Sequence, residues 1–328
     1  MSIPVITHCP GTLAAGHHTY SRTCLARVFL GRKIHHILPF DSPASSEEAD
    51  TLFLENRKHI SISGVQEKFS VVLEKNKLRL TTDGERGAYI LKPKPAAGKN
   101  RDQMPANEHL TMQIARQVYG METAENALIF FKDGLTAYIT RRFDVTPDGQ
   151  KLAMQDFATL AGKTPYTHGT DYKYTGNYLE LFDLMRVHLP SYKTEAPKLF
   201  QLLLFNYLFS NGDAHLKNFS LLETPLGDFR LCPSYDLLNS RIHIDDRDFA
   251  LEDGLLPKHL AKGKIMEQFR ILGEHAEINT RIMDKIIQEM MLNEEKVKHL
   301  IEVSFLSDTL KRNYLQAYQT RLNKLTRE

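Results

Sequence analysis

A chain of 328 residues with 42 lysines and arginines against 40 aspartates and glutamates is long enough for two lobes with a sizeable core, and its balanced charge calls for neither a nucleic-acid nor a membrane partner. Three cysteines, Cys9, Cys24 and Cys232, are too few and too scattered for a disulfide framework, which fits a reducing compartment. The start lacks a charged segment followed by an apolar one, and no apolar run approaches the roughly 20 residues needed to span a bilayer, so a cytoplasmic protein is expected.

Cys9, His17, His18 and Cys24 have the residue types of a zinc site, but their spacings match no common knuckle and no second cysteine pair follows. The plainer reading of residues 1–45 is a small irregular subdomain covering an edge of the first sheet. Next, His59 to Leu73 reads as strand, Gly64 turn and strand, and Lys77-Leu78-Arg79-Leu80 continues it as a hairpin. A glycine turn can lay backbone N–H groups against phosphate oxygens, and Lys68 could add charge. A single glycine is weak evidence, and a plain hairpin is the simpler alternative.

Ala88-Tyr89-Ile90-Leu91-Lys92-Pro93 is a short strand closed by proline. The segment from Pro105 to Val118 opens with proline and carries Leu110, Ile114 and Val118 at helical spacing. Alone, Glu108 is an acid favoured by the helix dipole and Lys92 a solvated strand end. Together, a strand lysine and a helix glutamate match the ion pair that orients ATP phosphates in kinase N-lobes.

Leu128 to Phe131, a Lys-Asp-Gly turn, and Thr136 to Asp144 form another hairpin. Thr146-Pro147-Asp148-Gly149 separates strand-rich from helix-rich sequence and is the expected domain boundary, giving an N-lobe over 1–145 and a helical C-lobe over 146–328. Arg141 to Phe143 is then the hinge for an adenine ring. Beyond it, Gln155 to Gly162 reads as a short helix, and Gly162 to Asn177 as a polar, tyrosine-rich loop long enough to be functional. Residues 178–189 and 196–210 read as helices, as does most of Ile265 to Thr326.

The second of these helices is apolar on nearly every side and hence buried. It leads into Ser210-Asn211-Gly212-Asp213-Ala214-His215-Leu216-Lys217-Asn218. Asn-Gly-Asp alone is ordinary turn chemistry. However, Asp213 and Asn218 have the separation at which protein kinases hold a catalytic Asp and a metal-binding Asn. Leu231-Cys232-Pro233-Ser234-Tyr235-Asp236 adds an acid at the end of a short strand, where a second magnesium ligand would sit. The set reads as a phosphoryl-transfer site.

Ser61-Ile62-Ser63-Gly64-Val65-Gln66-Glu67-Lys68, Ile90-Leu91-Lys92-Pro93, Asn107-Glu108-His109, Arg142-Phe143-Asp144, Gln155-Asp156-Phe157, Asn211 to Asn218 and Tyr235-Asp236 occur in this order. Between Ser61 and Asn239 the chain resembles the HipA-type serine/threonine kinases, toxins of bacterial toxin–antitoxin systems. The resemblance implies a two-lobed, protein-kinase-like α+β fold, with ATP and Mg²⁺ as cofactors. By position it assigns Asp213 as catalytic base, Asn218 and Asp236 as magnesium ligands, and Lys92 as the ATP phosphate contact. Ser63, Gly64, Val65, Gln66, Glu67 and Lys68 form the nucleotide loop, Arg141 and Phe143 the adenine hinge, while Glu108, His215 and Tyr235 belong to the same site. Ser61, and in a subset of the family Ser63 too, corresponds to the autophosphorylated serine of that loop.

Two features depart from full-length HipA: the short stretch before the Ser-Ile-Ser motif, which implies a missing N-terminal subdomain, and the second hydroxyl at Ser63. Both are similar to the short HipT toxins of three-gene systems, whose partners are a small antitoxin, HipS, and a DNA-binding protein, HipB. The implied target is an aminoacyl-tRNA synthetase, the tryptophanyl enzyme in HipT and the glutamyl enzyme in HipA. Phosphate on Ser61 or Ser63 adds about −1.5 to −2 charge beside the ATP phosphates and is expected to act as a self-inhibitory switch. Two other readings stay open at this point: a small-molecule kinase of the aminoglycoside or choline type, and a catalytically idle nucleotide-binding module that docks to an antitoxin.

Overall fold

The computed structural model describes residues 5–43, 45, 49, 51, 53, 66–146, 148–244 and 247–326. The chain divides into two compact units. One comprises the residues up to Gln113 with Ala124–Gln150 and His299–Lys311; the other comprises Ile114–Thr123, Lys151–Lys298 and Arg312–Glu328.

The first unit is built on β1 (Phe69–Glu74), β2 (Lys77–Leu80), β3 (Tyr89–Lys92), β4 (Asn126–Phe130) and β5 (Thr136–Arg141). They form one antiparallel sheet in the order β2-β1-β3-β5-β4. The β1–β2 hairpin turns over two residues, with Glu74 opposite Lys77 and Lys75 in the left-handed region at φ 55. Strand β4 would be a bare edge, a template for unwanted pairing. The N-terminal segment covers it: Leu128 N–H donates to Pro10 O at 2.8 Å, Phe130 N–H to His36 O at 2.8 Å, and Leu38 N–H to Phe130 O at 2.7 Å. The Tyr20 hydroxyl adds a bond to Leu128 O at 2.7 Å. The expected edge cover is therefore what this subdomain does. Phe29, Phe53, Phe69, Val71, Tyr89, Leu91, Ala127 and Ile129 share the buried core beneath it.

The cysteines at its start are part of that core. Cys9 Sγ accepts N–H groups from Ser21 at 3.1 Å and Gly11 at 3.4 Å. Hydrogen bonding from Cys24 holds the Cys9 thiol down at about 4, while the same bond, with burial, pushes the Cys24 thiol up. His17 and His18 do not join them; His18 Nδ1 lies 2.8 Å from Ile6 O. Among the described residues no group of three or more His, Cys, Asp or Glu is placed to hold a metal ion.

The second unit carries a small antiparallel sheet, β6 (Met154–Asp156), β7 (Ser220–Glu223) and β8 (Phe229–Leu231), in that order. Gln155 and Asp156, expected at the start of a helix, lie in β6. Asp156 keeps an extended backbone and its carboxylate accepts Thr159 N–H at 2.8 Å, so it caps the Phe157–Leu160 helix instead of entering it. The apolar helix spans Tyr192–Leu208, beginning four residues before and ending two before the expected 196–210. Its first turn is held by two tertiary contacts and one within the helix: the Tyr192 hydroxyl donates to Ala276 O at 2.8 Å, and the Glu195 carboxylate accepts Leu231 N–H at 3.1 Å and, one turn on in the same helix, Lys198 Nζ at 2.7 Å. These offset the hydrogen bond that a proline inside a helix removes. Leu199, Phe200, Leu203, Leu204 and Phe205 are all buried. Helices Ile265–His275 and Thr280–Leu292 follow. Among the described residues no helix is long and apolar enough to cross a membrane.

Candidate active site

In the first unit, β3 runs between β1 and β5, so its last residue, Lys92, emerges from the middle of the sheet. Lys92 sits opposite Tyr138 in the register, with Nζ 5.4 Å from the Tyr138 ring centroid. The Met104–Gln117 helix brings Glu108, whose Oε1 is 2.6 Å from Lys92 Nζ. An ion pair so enclosed contributes little net stability, because desolvation offsets attraction. It is costly to build and fixes where a cation stands.

Gln66, the first described residue of the expected nucleotide loop, donates from Nε2 to Pro93 O at 2.8 Å, which ties the end of that loop to the residue after Lys92. Glu67 and Lys68 follow it into β1. Ser61, Ser63, Gly64 and Val65 lie outside the described residues. Arg141 closes β5, and its N–H donates to Glu125 O at 2.8 Å. Phe143 follows, half-buried, beside a two-point pairing of Arg142 with Asp144 at 2.9 and 2.6 Å.

In the second unit, the Tyr192–Leu208 helix ends in a turn whose geometry is unusual for its residues. Ser210 takes φ 53, and Asn211 N–H returns to Asn206 O at 2.8 Å. Ser240 stitches this turn: its Oγ donates to Ser210 O at 2.9 Å and accepts Gly212 N–H at 2.9 Å. Two tyrosines hold the next residues, with Tyr178 OH on Ala214 O at 2.7 Å and Tyr174 OH on Asp213 Oδ1 at 2.8 Å. A third, Tyr235, donates to Lys217 O at 3.0 Å and shares a 2.6 Å bond with Ser220 Oγ. Burial pushes the Tyr235 hydroxyl's pKa well above its ordinary range. Burial, then the nearby Lys173 charge, lowers the pKa of His215 to about 4, so the ring is neutral near pH 7 and stands edge-on to Tyr174 at 5.2 Å.

Asp236 lies five residues past β8, not at the strand end, and adopts φ 57. That left-handed turn aims its carboxylate at the loop, where Asp236 Oδ2 accepts Asn218 Nδ2 at 3.3 Å. Left-handed backbone at a non-glycine residue costs of order 1 kcal/mol and clusters at functional sites.

Magnesium fits this pair. Asn218 Oδ1 is a buried oxygen with no hydrogen-bond partner among the described residues, next to a carboxylate. Both are hard oxygen donors, and Mg²⁺ typically takes one or two protein oxygens and fills its remaining positions with water and phosphate.

Lys92, Glu108, Gln66, Arg141 and Phe143 belong to the first unit; Asp213, His215, Asn218, Tyr235 and Asp236 belong to the second. Within each unit, the pairs Lys92–Glu108 and Asn218–Asp236 are in contact. Sequence reasoning did not single out Tyr174, Tyr178 and Ser240. The tyrosine-rich loop before Asn177 was the one signal that could have found the first.

A family model described as HipA-like C-terminal domain matches residues 60–297. A putative kinase of Haemophilus influenzae is 25% identical over 302 residues, 85% of this chain and 86% of that protein. A putative kinase of Sinorhizobium fredii, Y4dM, is 31% identical over 251 residues, 70% of this chain and 58% of that one. Among solved structures, HipA of Shewanella oneidensis MR-1, determined in a toxin–antitoxin complex with HipB and operator DNA, is similar with a TM-score of 0.62 at 20% identity. That match covers 82% of this chain and 65% of the HipA chain. The proinflammatory kinase CtkA of Helicobacter pylori aligns with a TM-score of 0.52 at 14% identity, over 76% of this chain and 93% of that one. At these identities the structural likeness speaks for the fold, a two-lobed α+β kinase-like architecture.

Proposed function

The chain belongs to the family of HipA-like C-terminal domains, and from that premise we propose that it is an ATP-dependent serine/threonine protein kinase serving as the toxin of a toxin–antitoxin system. The observation that carries the reading is the Asn218–Asp236 contact at 3.3 Å, with a buried amide oxygen that has no hydrogen-bond partner among the described residues, in the same loop system as Asp213. Such a constellation suits a metal-assisted phosphoryl transfer.

In this reading Asp213 accepts the proton of the attacking hydroxyl, a role worth about 10²- to 10⁴-fold in rate. Asn218 and Asp236 supply oxygens to Mg²⁺, and Lys92, held by Glu108, offers a fixed cation to phosphate oxygens. Bound Mg·ATP supplies the phosphoryl group and the cation that neutralises its developing charge. Gln66 anchors the nucleotide loop, Glu67 and Lys68 continue it, and Arg141 and Phe143 flank the adenine. His215 stays neutral beside the base, adding no competing cation. Ser61 and Ser63 are the proposed autophosphorylation sites.

The proposed target is an aminoacyl-tRNA synthetase, the tryptophanyl enzyme first, in the cytoplasm. The second hydroxyl at Ser63 favours the HipT subtype, with HipS- and HipB-like antitoxins as partners. The test is incubation of the purified chain and its Asp213→Asn variant with Mg²⁺, γ-labelled ATP and purified tryptophanyl- and glutamyl-tRNA synthetases. Label on the tryptophanyl enzyme with wild type alone is the expected result. Label on neither synthetase would remove the proposed target, and none on the chain itself either would remove the kinase reading.

A further inference from the structure

The loop Gly162–Asn177 is exposed from Thr164 to Asp171 and then folds down against its own unit. Three anchors hold its second half. Tyr174 O accepts Glu252 N–H at 2.9 Å, Gly176 O accepts Asp253 N–H at 3.1 Å, and Lys163 Nζ donates to Thr175 O at 3.0 Å. Pinned this way, the Tyr174 ring lies edge-on to His215, with Lys173 Nζ 5.0 Å from its centroid. Its hydroxyl donates to Asp213 Oδ1 at 2.8 Å.

A general base must be approached by the hydroxyl that it deprotonates, at about 2.6–3.2 Å and with that hydroxyl donating. The Tyr174 hydroxyl already stands in this relation to Asp213. We propose that Tyr174 occupies the acceptor position of the site, so that a serine or threonine hydroxyl of a protein substrate must displace it to reach Asp213. The proposal rests on Asp213 being the base. It makes Tyr174 a specificity-determining residue: with the loop in place its hydroxyl holds Asp213 Oδ1 in competition with water, and an acceptor that moves the loop takes over the contact.

Tyr174→Phe keeps the ring and its contacts and removes only the hydroxyl. The test measures ATP hydrolysis with water as the sole acceptor, in wild type, Tyr174→Phe, Asp213→Asn and the double variant. Tyr174→Phe is expected to hydrolyse ATP at least about tenfold faster than wild type, as loss of a hydrogen bond to a charged group implies, with both Asp213→Asn proteins at background. A Tyr174→Phe rate at or below that of an active wild type overturns the proposal, since Tyr174 would then be supporting Asp213, and leaves the kinase reading standing. If wild type and Tyr174→Phe both match Asp213→Asn, the base assignment fails and takes the proposal with it. A second measurement needs no nucleotide: the ¹³Cζ-tyrosine resonance of Tyr174 is expected to move in Asp213→Asn, and an unmoved resonance overturns the proposed contact.

Discussion

Lys92 Nζ and Glu108 Oε1 stand 2.6 Å apart on side chains that are 5% and 3% exposed. Removing one charge from a pair so enclosed costs about 3–5 kcal/mol, because its partner is left buried without compensation. Glu108→Met and Lys92→Met are each expected to lower the unfolding free energy obtained from urea titrations by that amount. The double variant should be more stable than either single one. All three should lose phosphoryl transfer. Equal or additive losses of stability would show that the two groups do not depend on each other.

Asn218 should separate stability from activity. Its Oδ1 is buried without a hydrogen-bond partner among the described residues, and leaving such an acceptor unpaired costs about 1–3 kcal/mol. Asn218→Leu, which keeps the branch at Cγ without the polar atoms, is therefore expected to hold or raise the melting temperature while raising the Mg²⁺ concentration needed for half-maximal activity. A large loss of stability with an unchanged magnesium requirement would contradict the ligand role.

His109 gives a pH dependence of defined sign. Burial lowers its pKa to about 4, below the unfolded value near 6.5, and its Nε2–H donates to Gly11 O at 3.3 Å. The unfolded state therefore takes up a proton first as pH falls, and the stability His109 contributes is lost between about pH 6.5 and pH 4. At pH 5 the loss from this one group is about 2 kcal/mol. In denaturant titrations at pH 7 and pH 5, His109→Gln should lose less stability than wild type between the two. A parallel loss in both proteins would place the histidine's proton uptake elsewhere.

Arg321 is 1% exposed at its side chain and pairs with Asp248 at 2.5 Å. Its guanidinium lies 4.8 Å from the Tyr207 ring centroid, and Nε reaches Ser210 Oγ at 3.4 Å. Ser210 is the left-handed residue that opens the Asp213 loop. Arg321→Met is expected to cost about 2–4 kcal/mol and to slow transfer by loosening that turn. Arg321→Lys should recover little of either, since a point charge cannot stack and fork at once. Full recovery by lysine would reduce the role to charge alone.

Much of this protein was written locally. The β1–β2 and β4–β5 hairpins follow from alternation and turn residues, the helix after Pro105 from apolar spacing, and the Asp213 loop from a polar run behind a greasy helix. Such signals survive in the sequence because they arise between residues a few positions apart. Folding alone decided the contacts between distant residues. Tyr174 meets Asp213 across 39 positions, Glu195 meets Leu231 across 36, and Arg321 meets Ser210 across 111. No period or spacing encodes those pairings, because each depends on which elements pack together once apolar surface is buried. The start of the helix at Tyr192 and the left-handed turn at Asp236 were settled in the same way, by tertiary hydrogen bonds strong enough to override local preference.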